Sequence, residues 1–236
     1  MQCVILAGGL GTRLREETEF KPKPLVEVGG KPIIHHLINY YVYFGIKEFI
    51  VCAGYKGEML KNYFENNSDF TNVEVKVVDT GELSNTGERL RRIQHLINRD
   101  SFYCTYGDGL SDIDLEKVQL AHSKSKKTVT LCSARPISRF GVLEIDANNK
   151  VVRFREKPLL DSWINIGFFI FNKDIFNVLK KDSILETDAL IPLAEDGKVN
   201  AYKHEGFWQP MDTYREAQLL NEMWNLGKAP WKKYLN

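Results

Sequence analysis

The run Cys3-Val4-Ile5-Leu6-Ala7 stops at Gly8-Gly9, and this junction constrains the fold more than any other feature of the sequence. Five consecutive apolar residues ended by glycine read as a strand buried on both faces, and such strands belong to sheets covered by helices on both sides. Gly8, Gly9 and Gly11 follow it directly. Glycines there let main-chain N–H groups approach a phosphate or a base with no Cβ in the way. They fit equally a tight strand-to-helix turn followed by an exposed basic loop. Two phosphate-binding loops are excluded: G-x-x-x-x-G-K-[ST] does not occur, and the dinucleotide fingerprint needs glycine where the chain has Leu14.

Beyond the loop, short apolar runs alternate with segments of helical period, the pattern of a layered α/β domain. Strands are expected at 48–53, 73–78, 102–106, 128–132 and 164–171, with one more after Lys198. Helices are expected at 31–43, 56–64 and 115–125, and from Thr213 with the stripe Ala217, Leu220, Met223 and Trp224. Asn85 with Glu88 forms a capping-box pattern for a helix carrying Leu90, Ile93 and Ile97. Residues 141–145 and 151–154 flank Asp146-Ala147-Asn148-Asn149 as a hairpin, which makes the sheet mixed rather than purely parallel. The expectation is one three-layer α/β/α domain over 1–236, with a mixed, mostly parallel, Rossmann-like central sheet.

The charges nearly cancel: 32 Lys and Arg stand against 31 Asp and Glu, a formal net charge of +1. That gives no general attraction to nucleic acid or an anionic membrane, so phosphate chemistry here depends on local placement of charge. The four cysteines, Cys3, Cys52, Cys104 and Cys132, have no C-x-x-C spacing and lie in apolar stretches; they read as buried free thiols. No leader pattern or apolar stretch of membrane length occurs, and a cytoplasmic protein is expected.

Asp108 stands between Gly107 and Gly109 after an apolar strand, the kind of strand end where open α/β sheets collect ligands. A carboxylate there suits Mg²⁺; a solvated acidic turn is the other reading. Asp112 and Asp114 do not fit a calcium-loop register and are assigned to the helix start near Leu115. Asp212 precedes Thr213, where a carboxylate also serves a helix N-terminus. Glu156 and Lys157, before the chain-turning Pro158, read by default as a solvated pair. The five histidines show no metal-ligand or catalytic spacing.

Leu6 to Leu14, LAGGLGTRL, followed by Pro22-Lys23-Pro24, resembles the signature of the sugar-1-phosphate nucleotidyltransferases, also called nucleoside-diphosphate-sugar pyrophosphorylases. The segments VDTG (78–81), TGERL (86–90), TYGDG (105–109), RFG (139–141), EKP (156–158), GFWQPMDT (206–213) and GKAPWK (227–232) extend the resemblance along the whole chain. They match best the members that use CTP and glucose 1-phosphate in making surface-polysaccharide deoxysugars. The resemblance implies Mg²⁺ on Asp108 and Asp212, Arg13 and Lys23 on the triphosphate, and Lys157 on the sugar phosphate. Leu6, Ala7, Gly8, Gly9, Gly11 and Thr12 would line the nucleotide site, with Thr80, Gly81, Thr86 and Gly87 at the base and Arg89 donating to the cytosine O2. Glu156 would accept from sugar hydroxyls, with Tyr106, Gly107, Gly141, Asn165 and Gly167 completing the sugar pocket. The nucleotide part is placed at about 1–135 and the sugar-phosphate part at about 136–236, in a homo-oligomer.

The chain departs from those relatives in a short connection between Phe64 and Val78, in Glu88 where glycine is frequent, and in Ile166 where a small or hydroxylated residue is frequent. The same chemistry with another sugar 1-phosphate or nucleoside triphosphate is therefore one alternative. A nucleotide-sugar-binding subunit without turnover is another, opposed by the filled charged positions Arg13, Lys23, Asp108, Glu156, Lys157 and Asp212.

Overall fold

Along the first strand, Cys3 and Ile5 pack into one core while Val4 and Leu6 pack into a second, the two-sided burial that its unbroken apolar run requires. The computed structural model describes residues 1–235; residue 236, the last of the expected domain, lies outside them. Seven strands form the central sheet: β1 Gln2–Leu6, β2 Glu48–Ala53, β3 Glu74–Asp79, β4 Ser101–Tyr106, β5 Val129–Ala134, β6 Ile164–Asn172 and β7 Val199–Lys203. Their order is β7-β5-β6-β4-β1-β2-β3.

One face of the sheet is covered by helices α1 Ile33–Tyr43, α2 Gly57–Glu65, α4 Leu115–Ser125 and α5 Tyr214–Asn225. The other carries α3 Thr86–Arg92 and the segment from Ile175 to Leu193. This is the expected three-layer arrangement, and the four cysteines are buried free thiols within it. Among the described residues no helix is long and apolar enough to cross a membrane.

The sheet is mixed, but for a different reason from the one the hairpin suggested. The hairpin forms, as Val142–Ile145 paired with Val151–Arg155, and stands as a separate two-stranded sheet. The antiparallel member of the central sheet is β6, which pairs with β4 on one side and β5 on the other. Its buried run Ile166–Phe171 fills both faces, whereas the hairpin leaves Leu143, Val152 and Phe154 exposed.

Caps fell partly where expected. Thr213 accepts the Glu216 amide and Glu216 answers to the Thr213 amide, a complete capping box. Asp114 caps α4 through the Glu116 and Lys117 amides. Asp112 does not serve that helix; its carboxylate accepts from Phe207 N–H at 2.7 Å and lies 3.0 Å from His204 Nε2. The Asn85–Glu88 box is absent. Asn85 instead donates to the Asp182 carbonyl, and Glu88 is held by Arg91 and Arg92 and accepts the Asp182 amide. The Ser183 carbonyl accepts Glu88 N–H, so a segment distant in sequence caps α3, which a local pattern cannot register.

The short connection before β3 is closed by a single 3-10 turn, Ser68–Phe70, capped by Asn67. Phe70 is buried against Phe64, with ring centroids 5.4 Å apart.

Candidate active site

Two carboxylates meet because two short strands pair. Gly109–Ser111, just after Asp108, runs antiparallel to Trp208–Pro210, just before Asp212, and Met211 N–H donates to the Asp108 carbonyl at 2.7 Å. The two aspartates are thus tied by main chain and do not depend on a flexible loop. Since Thr213 and Glu216 provide the cap of α5, the Asp212 carboxylate is free to face away from the helix. It accepts from Lys23 Nζ at 2.5 Å and pairs with Arg13 at 2.9 Å. Lys23 Nζ also lies 2.6 Å from Asp108 Oδ2.

Lys23 reaches this point from the 3-10 turn Lys23–Leu25, which Pro22 and Pro24 stiffen. Its side chain is only 12% exposed. Burial works against its charge, but the attraction of Asp108 and hydrogen bonds to Asp108 and Asp212 outweigh it and raise the lysine pKa above its ordinary value. Lys23 stays a cation throughout the working pH range.

These groups sit at one side of a cleft of about 500 Å³. Leu6, Ala7, Gly8, Gly9, Gly11 and Thr12 form its floor and rim; Tyr106 and Gly107 close it from β4, and Thr86 and Arg89 from α3. Gly11 has φ +65°, and a side chain on it would meet Thr18 and Lys23, so glycine is required where the loop turns back. The Gly107 amide donates to the Leu6 carbonyl at 3.0 Å, fixing the ends of β1 and β4 side by side.

Arg89 is 4% exposed. Its terminal nitrogens donate to the carbonyls of Gly8, Ala53, Gly81 and Glu82 and to the Thr80 hydroxyl, at 2.8–3.1 Å. It therefore ties the glycine loop, the end of β2 and the loop after β3 into one wall. Thr80 is fully buried beneath it, and neither Thr80, Gly81 nor Gly87 lines the cleft. A side chain at Gly87 would collide with Ser183, so that glycine serves close packing.

Residues 2–218 match the nucleotidyl transferase family. The chain belongs to it. This nucleotidyl transferase is 45% identical to a glucose-1-phosphate cytidylyltransferase of Salmonella typhi over 257 aligned positions, covering 99% of this chain and 100% of that one. It is 34% identical to a D-glycero-α-D-manno-heptose 1-phosphate guanylyltransferase of Campylobacter jejuni over 75% of this chain and 78% of the relative. A crystal structure of a UDP-glucose pyrophosphorylase with UDP-glucose superposes with a TM-score of 0.76 at 19% identity, covering 96% and 98% of the two chains, which is a likeness of fold.

Of the residues expected on the sugar side of this nucleotidyl transferase, Tyr106 and Gly107 line the cleft with the carboxylate pair, while Gly141, Glu156, Lys157, Asn165 and Gly167 do not. Glu156 and Lys157 lie 3.6 Å from each other, both well exposed, at the end of the separate hairpin and outside the cleft lining. Lys157 has φ +44°, a left-handed conformation that a non-glycine residue adopts at a cost. Gly141 packs under Phe154 and Glu156 of the same hairpin. Asn165 accepts the Gly167 amide at a bulge in β6, and Gly167, with φ +78°, leaves room for the Tyr106 ring. Ile166 beside it is buried in the core.

Sequence reasoning missed Ser84, Ile184 and Glu186, and read Asn85 only as a cap; all four line the cleft. Glu186 accepts hydrogen bonds from the Tyr106 and Thr86 hydroxyls. It lies in a π-helical turn, Leu185–Leu190, whose period differs from the helix and strand periods that a sequence scan tests. A second, larger hollow of about 620 Å³ between Arg91, His95, Lys173 and Phe176 contains none of the expected residues.

Proposed function

We propose that this enzyme joins CTP and glucose 1-phosphate to give CDP-glucose and pyrophosphate. The convergence of Arg13, Lys23, Asp108 and Asp212 at the mouth of the glycine-loop cleft carries the reading. The full-length 45% identity to a Salmonella cytidylyltransferase supports the choice of CTP and glucose. In the reaction a phosphate oxygen of glucose 1-phosphate attacks the α-phosphorus of CTP, and the bond from that phosphorus to the pyrophosphate oxygen breaks. The attacking oxygen is already ionised and needs no protein base, so the enzyme's task is to hold two anions together and neutralise them.

Arg13 and Lys23 bind the triphosphate and orient its α-phosphate. Two carboxylates side by side suit Mg²⁺, which takes one or two of them with waters and phosphate oxygens completing an octahedron. Asp108 and Asp212 would hold Mg²⁺, which would supply charge neutralisation for the reacting phosphates.

The nucleotide occupies the part of the chain before residue 135 or so, against residues 6–13 and 84–89. Arg89 is the donor assigned to the cytosine O2, and its terminal nitrogens also hold the wall. The sugar phosphate lies against Tyr106 and Gly107, and Lys157 with Glu156 approaches it from the hairpin. The enzyme works as a homo-oligomer in the cytoplasm. Pyrophosphate release measured with each nucleoside triphosphate against a panel of sugar 1-phosphates tests the assignment. Release with CTP and glucose 1-phosphate is expected; a preference for another pair reassigns the substrates, and no release with any pair leaves a binding protein.

A further inference from the structure

The ammonium of Lys23 sits between the two carboxylates that the proposed function gives to Mg²⁺, 2.6 Å from Asp108 Oδ2 and 2.5 Å from Asp212 Oδ1. An ion bonded to both of these oxygens needs the space the ammonium holds, since Mg²⁺–oxygen bonds are about 2.0–2.1 Å long. The lysine bridge and a metal bonded to these same two oxygens therefore exclude each other; the second oxygen of Asp212 is held by Arg13 at 2.9 Å.

We propose that Lys23 is an internal stand-in for the metal: it neutralises the carboxylate pair until a triphosphate draws it into the cleft, and only then does the pair accept a divalent cation. This inference rests on the metal reading of Asp108 and Asp212 given above. Two observations support it. Without a cation, two carboxylates locked together by main-chain pairing would repel each other in a partly buried site. Lys23 and both aspartates line the cleft where the phosphates are placed, and a triphosphate offers the ammonium more negative charge than two carboxylates. Nucleotide and metal thus bind as a coupled pair, the nucleotide raising the fraction of molecules able to take the metal.

Mn²⁺ binding to the protein without nucleotide, followed by the loss of the free-ion electron paramagnetic resonance signal, tests this. Wild type is expected to bind weakly, and Lys23→Met and Lys23→Gln at least about tenfold more tightly, because the competing bridged conformation is gone. Adding Asp212→Asn to Lys23→Met should remove the gain. Two variants are used because the methionine leaves Asp108 without its lysine and Asp212 with Arg13 alone, whereas glutamine keeps a hydrogen-bond donor; circular dichroism confirms that each is folded. Equal Mn²⁺ affinity in wild type and both folded variants overturns the inference. An arm with CTP separates that result from failure of the metal reading: if Asp212→Asn leaves Mn²⁺ uptake with CTP unchanged, the aspartate pair is not the metal site, and the stand-in falls with it.

Discussion

The guanidinium of Arg89 occupies the space that a side chain on Gly8 would need: a Cβ at position 8 would lie 2.0 Å from Arg89 Nη1, while Arg89 Nη2 donates to the Gly8 carbonyl at 2.9 Å. The glycine loop is thus shaped from behind by an arginine as well as from within by its own backbone freedom. Gly8→Ala is expected to displace the arginine, costing roughly 1–3 kcal/mol as an overpacking change and weakening nucleotide binding. Arg89→Ala removes five hydrogen bonds to four carbonyls and a hydroxyl, of which the Ala53 and Gly81 carbonyls keep other donors, a larger loss of roughly 3–5 kcal/mol. In the double variant the alanine at position 8 meets no guanidinium, so the two effects should couple by at least about 1 kcal/mol. Denaturant unfolding of the four proteins measures the cycle, and strict additivity would contradict the packing described.

Asp212 and Thr213 are neighbours with separate duties, which gives opposite signatures. Asp212→Asn removes charge from the site but not the helix cap, so kcat should fall about 100-fold to 1,000-fold, the loss typical of one electrostatic group at a reacting centre, with little change in melting. Lys23→Ala and Asp108→Asn should lower kcat on the same scale. Thr213→Ala removes the acceptor of the Glu216 amide and should cost about 1 kcal/mol of stability, with a much smaller loss of turnover. Steady-state kinetics and thermal melts on the same preparations decide it; an unstable but active Asp212→Asn would mean that the carboxylate serves the helix after all.

These duties show what the sequence could and could not tell. β1, β2, α4 and α5 were readable because period, cap and breaker agreed locally: Asp114 precedes α4, and Thr213 with Glu216 brackets α5. The glycine loop, Lys23 and both aspartates were readable because short motifs place them. What escaped depends on contacts between distant segments. The true cap of α3 comes from residues 182 and 183, the Glu186 carboxylate reaches the cleft from a π-helical turn, and Arg89, expected at the base, has its terminal nitrogens engaged by carbonyls of the glycine loop, the end of β2 and the loop after β3. The turn residues 146–149 mark the hairpin next to Lys157, but no local pattern says whether such a ribbon joins the sheet.

Acid should destabilise the protein in two stages. Burial, reinforced by nearby Lys31 and His36, lowers the His35 pKa from 6.5 to about 4. The unfolded chain therefore takes up that proton more readily than the folded one, and the stability due to neutral His35 is complete above pH 6.5 and lost as pH falls towards about 4. The shift corresponds to up to about 3 kcal/mol. Hydrogen bonds from Arg91 hold the Glu88 carboxyl down to about 2 against the opposing effect of burial. Its stabilisation is present above 4.5 and is lost from there towards about 2. Urea midpoints measured from pH 7.5 to 3.5 should fall mainly below pH 6.5, and His35→Gln should flatten the slope between 6.5 and 4. An unchanged slope in that variant would place the proton uptake elsewhere.

Glu186 joins the two sides of the cleft, since its carboxylate accepts from Tyr106 on the β4 side and from Thr86 at the start of α3. A glutamine has one acceptor oxygen and one donor nitrogen, so Glu186→Gln can serve only one of the two hydroxyls as before. The other wall loses its tie at a cost of about 1–2 kcal/mol. Because Glu186 acts through those walls and not on the phosphates, the expected change is in KM, roughly tenfold for one or both substrates, with kcat kept within about threefold. Tyr106→Phe should produce part of this effect alone and add little in the Glu186→Gln background, as partners in one hydrogen-bond network do. Initial-rate kinetics with each substrate varied separately distinguish the outcomes. A fall in kcat at unchanged KM would assign Glu186 to the reacting centre itself, and no change in either would leave its two hydroxyl contacts without a role in substrate binding.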